Sequence, residues 1–216
     1  MTTRLSLPGL GLALLLTPAA AGAQARGGDC VAIGTPKPAL EYVYRLTDSR
    51  GTSSDFRTVW DEITRTQSRS RTTRGRGGVV ESISRYRIVD DVSVIDETSQ
   101  SDAGTTTFAP GVVGDPFGRA CAGGSWPIAA ATATNRSARG TFSAKSDAGE
   151  LKMLGLHVSA TVPAGTFDTV HYTRTTTSAR GTVVDEYWKS IEHGVVVRHR
   201  SAVAGVTLTE ELQAIR

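Results

Sequence analysis

Residues 162–200 constrain the fold more than any other part of this chain. They read as three extended segments: V-P-A-G-T-F-D-T-V-H-Y, then V-V-D-E-Y-W-K after a polar turn, then V-V-V-R-H-R after a turn centred on Gly194. β-Branched and aromatic residues within short segments bounded by turn residues are the pattern of antiparallel strands. A spacing of about 12 residues continues through 167–177, 183–191, 195–203 and 206–215, which predicts an up-and-down antiparallel sheet. The last of these segments has a helical alternative, since Leu208, Leu212 and Ile215 share a helical face and Thr207 with Glu210 forms a capping box. A meander ends most simply in a strand, so a strand is expected there.

The rest of the chain extends the same pattern. In residues 40–47, Leu40, Tyr42, Tyr44 and Leu46 face one side, and Glu41, Arg45 and Thr47 the other. Residues 56–74 read as one or two strands, mostly polar on both faces, and 79–98 as a Val- and Ile-rich stretch broken at Asp90-Asp91. Residues 99–125 lapse into Gly, Asp, Pro and Thr and read as a long loop holding Cys121, with at most a short strand over 105–108. A loop of that length is either functional or pinned. Residues 126–134, 138–145 and 151–162 read as further strands of a meander. The expected fold is therefore all-β: a single antiparallel meander forming a strongly curved sheet or half-open β-barrel of about 9–11 strands.

The first 25 residues read as an export signal rather than as part of that fold. Arg4 supplies the positive n-region, Leu5 to Leu16 an apolar h-region, and Ala23-Gln24-Ala25 an A-x-A cleavage site. The apolar run is about 12 residues, shorter than the roughly 20 a spanning helix needs. Residues 26–216 then form one domain, placed in the periplasm or secreted, with no transmembrane segment. Gly27-Gly28-Asp29 before Cys30 lacks the apolar-then-small pattern of a lipid-attachment site. In an oxidising compartment the two cysteines, Cys30 and Cys121, are expected to pair. Losing Arg4 takes the formal net charge from +3 to +2, too small an excess to imply nucleic acid.

The string Val162-Pro163-Ala164-Gly165-Thr166-Phe167-Asp168-Thr169-Val170, followed by Glu186-Tyr187-Trp188 and Val195-Val196-Val197-Arg198, resembles a group of exported bacterial β-domains that includes the TapB-like proteins. In those, a VPAGTF hairpin precedes a strand carrying Trp and Tyr, and the architecture is similar to the curved half-barrel of the LolA and LolB lipoprotein carriers. The resemblance covers roughly the last 60 to 100 residues. It implies a fold and offers no catalytic residue to carry over. Pro163 and Gly165 suit a turn, which makes Phe167 and Trp188 core anchors.

No strong chemical motif follows. Gly123-Gly124-Ser125-Trp126-Pro127 approaches a nucleophile elbow, but has Pro where the last Gly belongs and no helix after it. His157, His171, His193 and His199, with Asp168, Asp185 and Glu186 nearby, lack metal-ligand spacing and read as solvated or hydrogen-bonded side chains. Neither a metal nor a cofactor is expected. On an extended strand Arg57, Arg65, Arg69 and Arg71 share one face, within a basic stretch that also holds Arg74 and Arg76. Arg65, Arg69 and Arg71 are the candidates for contact with an anionic membrane surface; the simpler reading is a solvated face that resists edge pairing. Asp90, Asp91, Asp96, Glu97 and Asp102 follow and act to neutralise it.

A sharper expectation concerns the concave side. Tyr42, Tyr44, Leu46, Val92, Val94, Val170, Tyr172 and Trp188 are the residues that would line it, with Tyr42, Tyr44, Tyr172 and Trp188 as candidate ligand contacts. An unfilled interior binds a lipid or other apolar ligand, and a filled one is a core; the filled core is the simpler expectation. The sequence therefore points to a non-enzymatic binding or structural module of the envelope. Its alternatives are a carrier of a hydrophobic ligand, an interaction protein docking on an envelope partner or surface, and a hydrolase whose site the sequence does not advertise.

Overall fold

The computed structural model describes residues 29–216, apart from Arg76, Ala179, Arg180 and Ala204. The export signal and Arg76 thus lie outside the described residues. Strands β1 (Cys30–Ala32), β2 (Glu41–Asp48), β3 (Ser53–Ile63), β4 (Gln67–Arg74), β5 (Val79–Val89), β6 (Val92–Gln100), β7 (Gly104–Pro116) and β8 (Arg119–Cys121) form the first half. The second half holds β9 (Ser125–Ile128), β10 (Thr132–Ser137), β11 (Gly140–Lys145), β12 (Ala148–Val162), β13 (Gly165–Ser178), β14 (Gly181–Ser190), β15 (Val196–Val203) and β16 (Val206–Ile215).

Fourteen strands form one open antiparallel sheet in the order β11-β10-β7-β6-β5-β4-β3-β2-β16-β15-β14-β13-β12-β9. It contains two meanders, β2 to β7 and β12 to β16, joined where β2 pairs with β16. The expected all-β curved sheet is what forms, and the terminal segment is a strand. Asp90 and Asp91 take positive φ of 49° and 64°, the geometry of a tight two-residue hairpin turn between β5 and β6.

The sheet has more strands than the 9–11 expected, chiefly because residues 99–125 are not a loop. Thirteen of them form β7, paired to β6 and β10. Its Gly and Pro residues mark irregular pairing instead of a chain break: the register shifts between Ile95 and Glu97, opposite residues 108–111. At Gly111 a Cβ would meet Val94 Cγ1 at 2.9 Å, so the close approach of β6 requires glycine. Residues 126–134 also differ from expectation. They split into β9 and β10, which pair toward opposite ends of the sheet, β9 on β12 and β10 between β7 and β11.

Cys30 and Cys121 form the expected disulfide inside the small β1–β8 ribbon. Closing a loop of 91 residues stabilises the fold by roughly 4–5 kcal/mol in the chain-entropy account. Two clusters fill the core. One gathers Val92, Val112, Trp126, Leu151, Val170 and Tyr172, the other Tyr42, Tyr44, Val162, Trp188, Val197 and Leu212. Phe167 packs against the second, and Gly165 adopts φ +136° at the head of β13, as the hairpin motif suggested.

Candidate functional site

Curvature brings the two meanders face to face. Tyr172 Oη donates to Asp115 Oδ1 at 3.0 Å, and Lys189 Nζ donates to the Pro116 carbonyl at 2.8 Å. Both are struts from β13–β14 to the end of β7. The lead-in to β2 closes one end, where the Gly34 amide donates to Ile191 O at 2.7 Å. Gly194, with φ +63°, sits so close that a Cβ there would strike the Gly34 backbone.

Between these walls lies a cavity of about 440 Å³. Aromatic and aliphatic side chains from β2 to β6 line it: Tyr44, Phe56, Trp60, Ile63, Tyr86 and Ile95, with Phe117 and Ile33 at the struts. Thr58, Ser68, Ser84 and Ser93 add hydroxyls, and Asp115, Arg174, Lys189 and Glu210 bring charge. Strand parity explains the set. Phe56, Thr58, Trp60 and Ser68 occupy alternate positions that face inward, while Arg57, Arg69 and Arg71 alternate outward.

Beside the cavity runs a stack of rings across three strands. Tyr172 and Tyr187 lie 5.0 Å apart at 13°, and Tyr187 and His199 lie 4.5 Å apart at 5°. Register carries the row on to Glu210, the partner of His199 on β16. Burial pushes the Glu210 carboxyl up, against the opposing influence of His199 and Arg74. Burial also raises Asp185, but hydrogen bonds from His199 and Ser201 outweigh it and hold that carboxyl low. The Lys189 ammonium is pushed down by burial, with Asp115 opposing the shift.

Of the four aromatic residues expected to meet a ligand, Tyr44 lines the cavity, stacked on Phe56 at 5.2 Å. Tyr42 and Tyr172 are fully buried in separate core clusters. Trp188 does not share a face with Tyr172: it is paired with His171, whereas Tyr172 is paired with Tyr187. Trp188 instead stacks on His171 at 4.5 Å, with the Arg198 and Arg200 guanidiniums 5.7 and 5.9 Å from its ring centre. The expected single concave tyrosine–tryptophan face is thus divided by strand alternation.

The arginines are also redistributed. Arg65 falls in the β3–β4 turn, so it does not continue the face of Arg57, Arg69 and Arg71. Arg71 grips Asp61 with Nε and Nη2, at 2.9 and 2.7 Å, and that hydrogen bonding holds the Asp61 carboxyl low. Arg57 lies 3.8 Å from Glu41. β4 is interior to the sheet, so this face protects no edge. Similar cross-strand pairs, Arg45–Asp55 and Arg85–Glu97, make the outer surface a mixed ladder of charge.

The histidines each take a carboxylate neighbour: His157 with Asp168, His171 with Glu186, His199 with Asp185 and, more loosely, His193 with Glu192. Among the described residues no three metal-ligating side chains gather. Ser125 Oγ donates to the Glu150 carboxylate. The cavity's charged members escaped the sequence reading because Asp115, Arg174, Lys189 and Glu210 are far apart along the chain. In the sequence Glu210 reads only as a capping residue.

No protein-family model matches the chain, and no curated protein matches it significantly. Among solved structures it is similar to the hypothetical lipoprotein YmcC from Escherichia coli (K12), at 14% identity and a TM-score of 0.39, over 83% of this chain and 88% of that one. A likeness of that size assigns no residue a role.

Proposed function

We propose that this protein is an extracytoplasmic binding protein that holds a small amphipathic molecule inside a curved β half-barrel, without transforming it. The cavity between the two meanders carries the reading. Its volume of about 440 Å³ falls within the roughly 300–1,000 Å³ of small-molecule sites, and its aromatic walls with a few placed polar groups suit an amphiphile. The disulfide accords with an oxidising compartment, as does the export signal read in residues 1–25. The hairpin resemblance to exported bacterial β-domains supports the same placement.

Native mass spectrometry after gentle purification tests the proposal. The expected spectrum shows a mass increment that disappears on delipidation and returns on incubation with lipid extract. Ser84→Trp, which fills the cavity from the β5 wall, should keep the melting transition and lose the increment. A wild-type protein that stays at its bare mass in both conditions sinks the reading.

A further inference from the structure

The cavity's polar groups have unspent hydrogen-bonding capacity, and the donor fork of Arg174 is a large single share of it. Arg174 lines the cavity and makes no hydrogen bond or ion pair within 4 Å to any described residue. Its register partner Asp185 is already engaged by His199 and Ser201. Trp60 Nε1, Tyr44 Oη and Ser84 Oγ also border the cavity without a partner among the described residues. Lys189 is more than nine-tenths buried and spends one of its three N–H groups, on the Pro116 carbonyl. Against these donors stand two cavity carboxyls. Asp115 accepts from Tyr172 and faces the Lys189 charge. Glu210 makes no hydrogen bond, and burial drives it toward the protonated form, in which it too is a donor.

Among the charged groups, burial pushes Lys189 and Glu210 alike toward their neutral forms and Asp115 accepts from Tyr172, which leaves Arg174 as the cation that borders the cavity without a hydrogen bond to a described residue. Arg174 and Glu210 both act on Tyr187, and Glu210 acts on Tyr44, which places these groups in one neighbourhood. We infer that the cavity selects a single-chain amphipathic anion, its head group accepting from Arg174 and the neighbouring Tyr44 hydroxyl of β2 while its chain lies on Phe56, Trp60 and Tyr86. Arg174 acts on the Asp185 carboxyl through its charge but donates no hydrogen bond to a described residue, so its guanidinium can meet a carboxylate or similar oxyanion with charge-assisted hydrogen bonds. This inference rests on the binding reading above and narrows it to one ligand chemistry. The inward position of these groups commits it to a free molecule in the interior, in contrast to docking on a membrane face.

Titration calorimetry of the whole exported protein with decanoate, decanol and decyltrimethylammonium, each below its micelle concentration, separates the two readings. Decanoate should bind at least about tenfold tighter than the other two, the order of a tenfold affinity ratio being about 1.4 kcal/mol. Arg174→Gln should bring decanoate down to the affinity of decanol, whereas Arg174→Lys should keep most of the preference. Arg69→Gln, on the outer face of the same sheet, should leave it unchanged. Binding of all three amphiphiles with equal affinity, or a preference for the cation, overturns the anion inference and leaves the cavity reading standing. Failure of every amphiphile to bind overturns both.

Discussion

In the wall formed by β12 to β16, Val170, Tyr172, Val197 and Leu212 have no exposed surface, whereas the facing positions of β3 to β6 carry Thr58, Ser68, Ser84 and Ser93 beside Phe56 and Trp60. Both walls are antiparallel ladders with the same inward–outward alternation. One fills most of its inward positions and meets the cavity through Arg174, Lys189 and Glu210, and the other lines the cavity along its inward positions. The difference lies in side-chain choice at equivalent positions, because hydroxyls at the pleat leave room where branched aliphatics would close it.

The largest effect should come from testing that contrast directly. Leu212→Ala removes a fully buried side chain from the filled wall and should cost about 2–5 kcal/mol, with the spread set by how far the site collapses. Ser84→Ala, at the cavity, should change stability by no more than about 0.5 kcal/mol, since its hydroxyl binds no described group. Urea denaturation of both variants measures the difference. Equal costs would mean that the two walls are packed alike.

A smaller effect probes how the walls are held apart. Tyr172→Phe deletes one hydroxyl and leaves Asp115 without the donor that reaches across from β13. Asp115 is exposed, so water replaces the lost donor and the change costs about 0.5–1.5 kcal/mol; the variant should melt lower while the ring still stacks on Tyr187. Ser93→Ala is the control, because Ser93 Oγ bonds the backbone of Asp115 from the neighbouring strand and spans nothing. If both variants lose the same ligand affinity and stability, the Tyr172 bond is no strut.

The fold was legible wherever one face of a strand is apolar and its ends are marked by turn residues. Residues 162–200 meet both conditions, and β13, β14 and β15 followed the expected alternation to within a few residues. Legibility failed at β7, where Gly111, Gly114, Pro110 and Pro116 look like loop residues although they serve close strand approach and irregular pairing. The disulfide was readable because only two cysteines exist. The candidate site was readable only through Tyr44. Parity says which residues share a face of one strand, but not which wall curls over which. Asp115 meets Tyr172 across a separation of 57 residues, and Lys189 meets Pro116 across 73. Those meetings depend on the curvature of the whole sheet, which no local pattern encodes.

Glu210 stands where the filled wall reaches the cavity, and its titration sharpens the comparison at its boundary. In the unfolded chain its carboxyl ionises near the ordinary 4.5, while burial raises it in the folded protein against the pull of His199 and Arg74. Between those two values the folded state holds a proton that the unfolded state has released. The unfolded state is then favoured as pH rises, so stability falls from about pH 4.5 upward until the raised value is passed, and stays reduced above it. Glu210→Gln removes the titration. Its melting temperature should match wild type below pH 4.5 and exceed it at neutral pH, with the gap opening through that window. Tyr44, Tyr187, His199 and Arg74 act on or are acted on by this group, and Gln in its place leaves them untouched. A gap that is constant with pH would show that the carboxyl is solvated as in water, and the cavity would then be an open groove whose two walls differ only in composition.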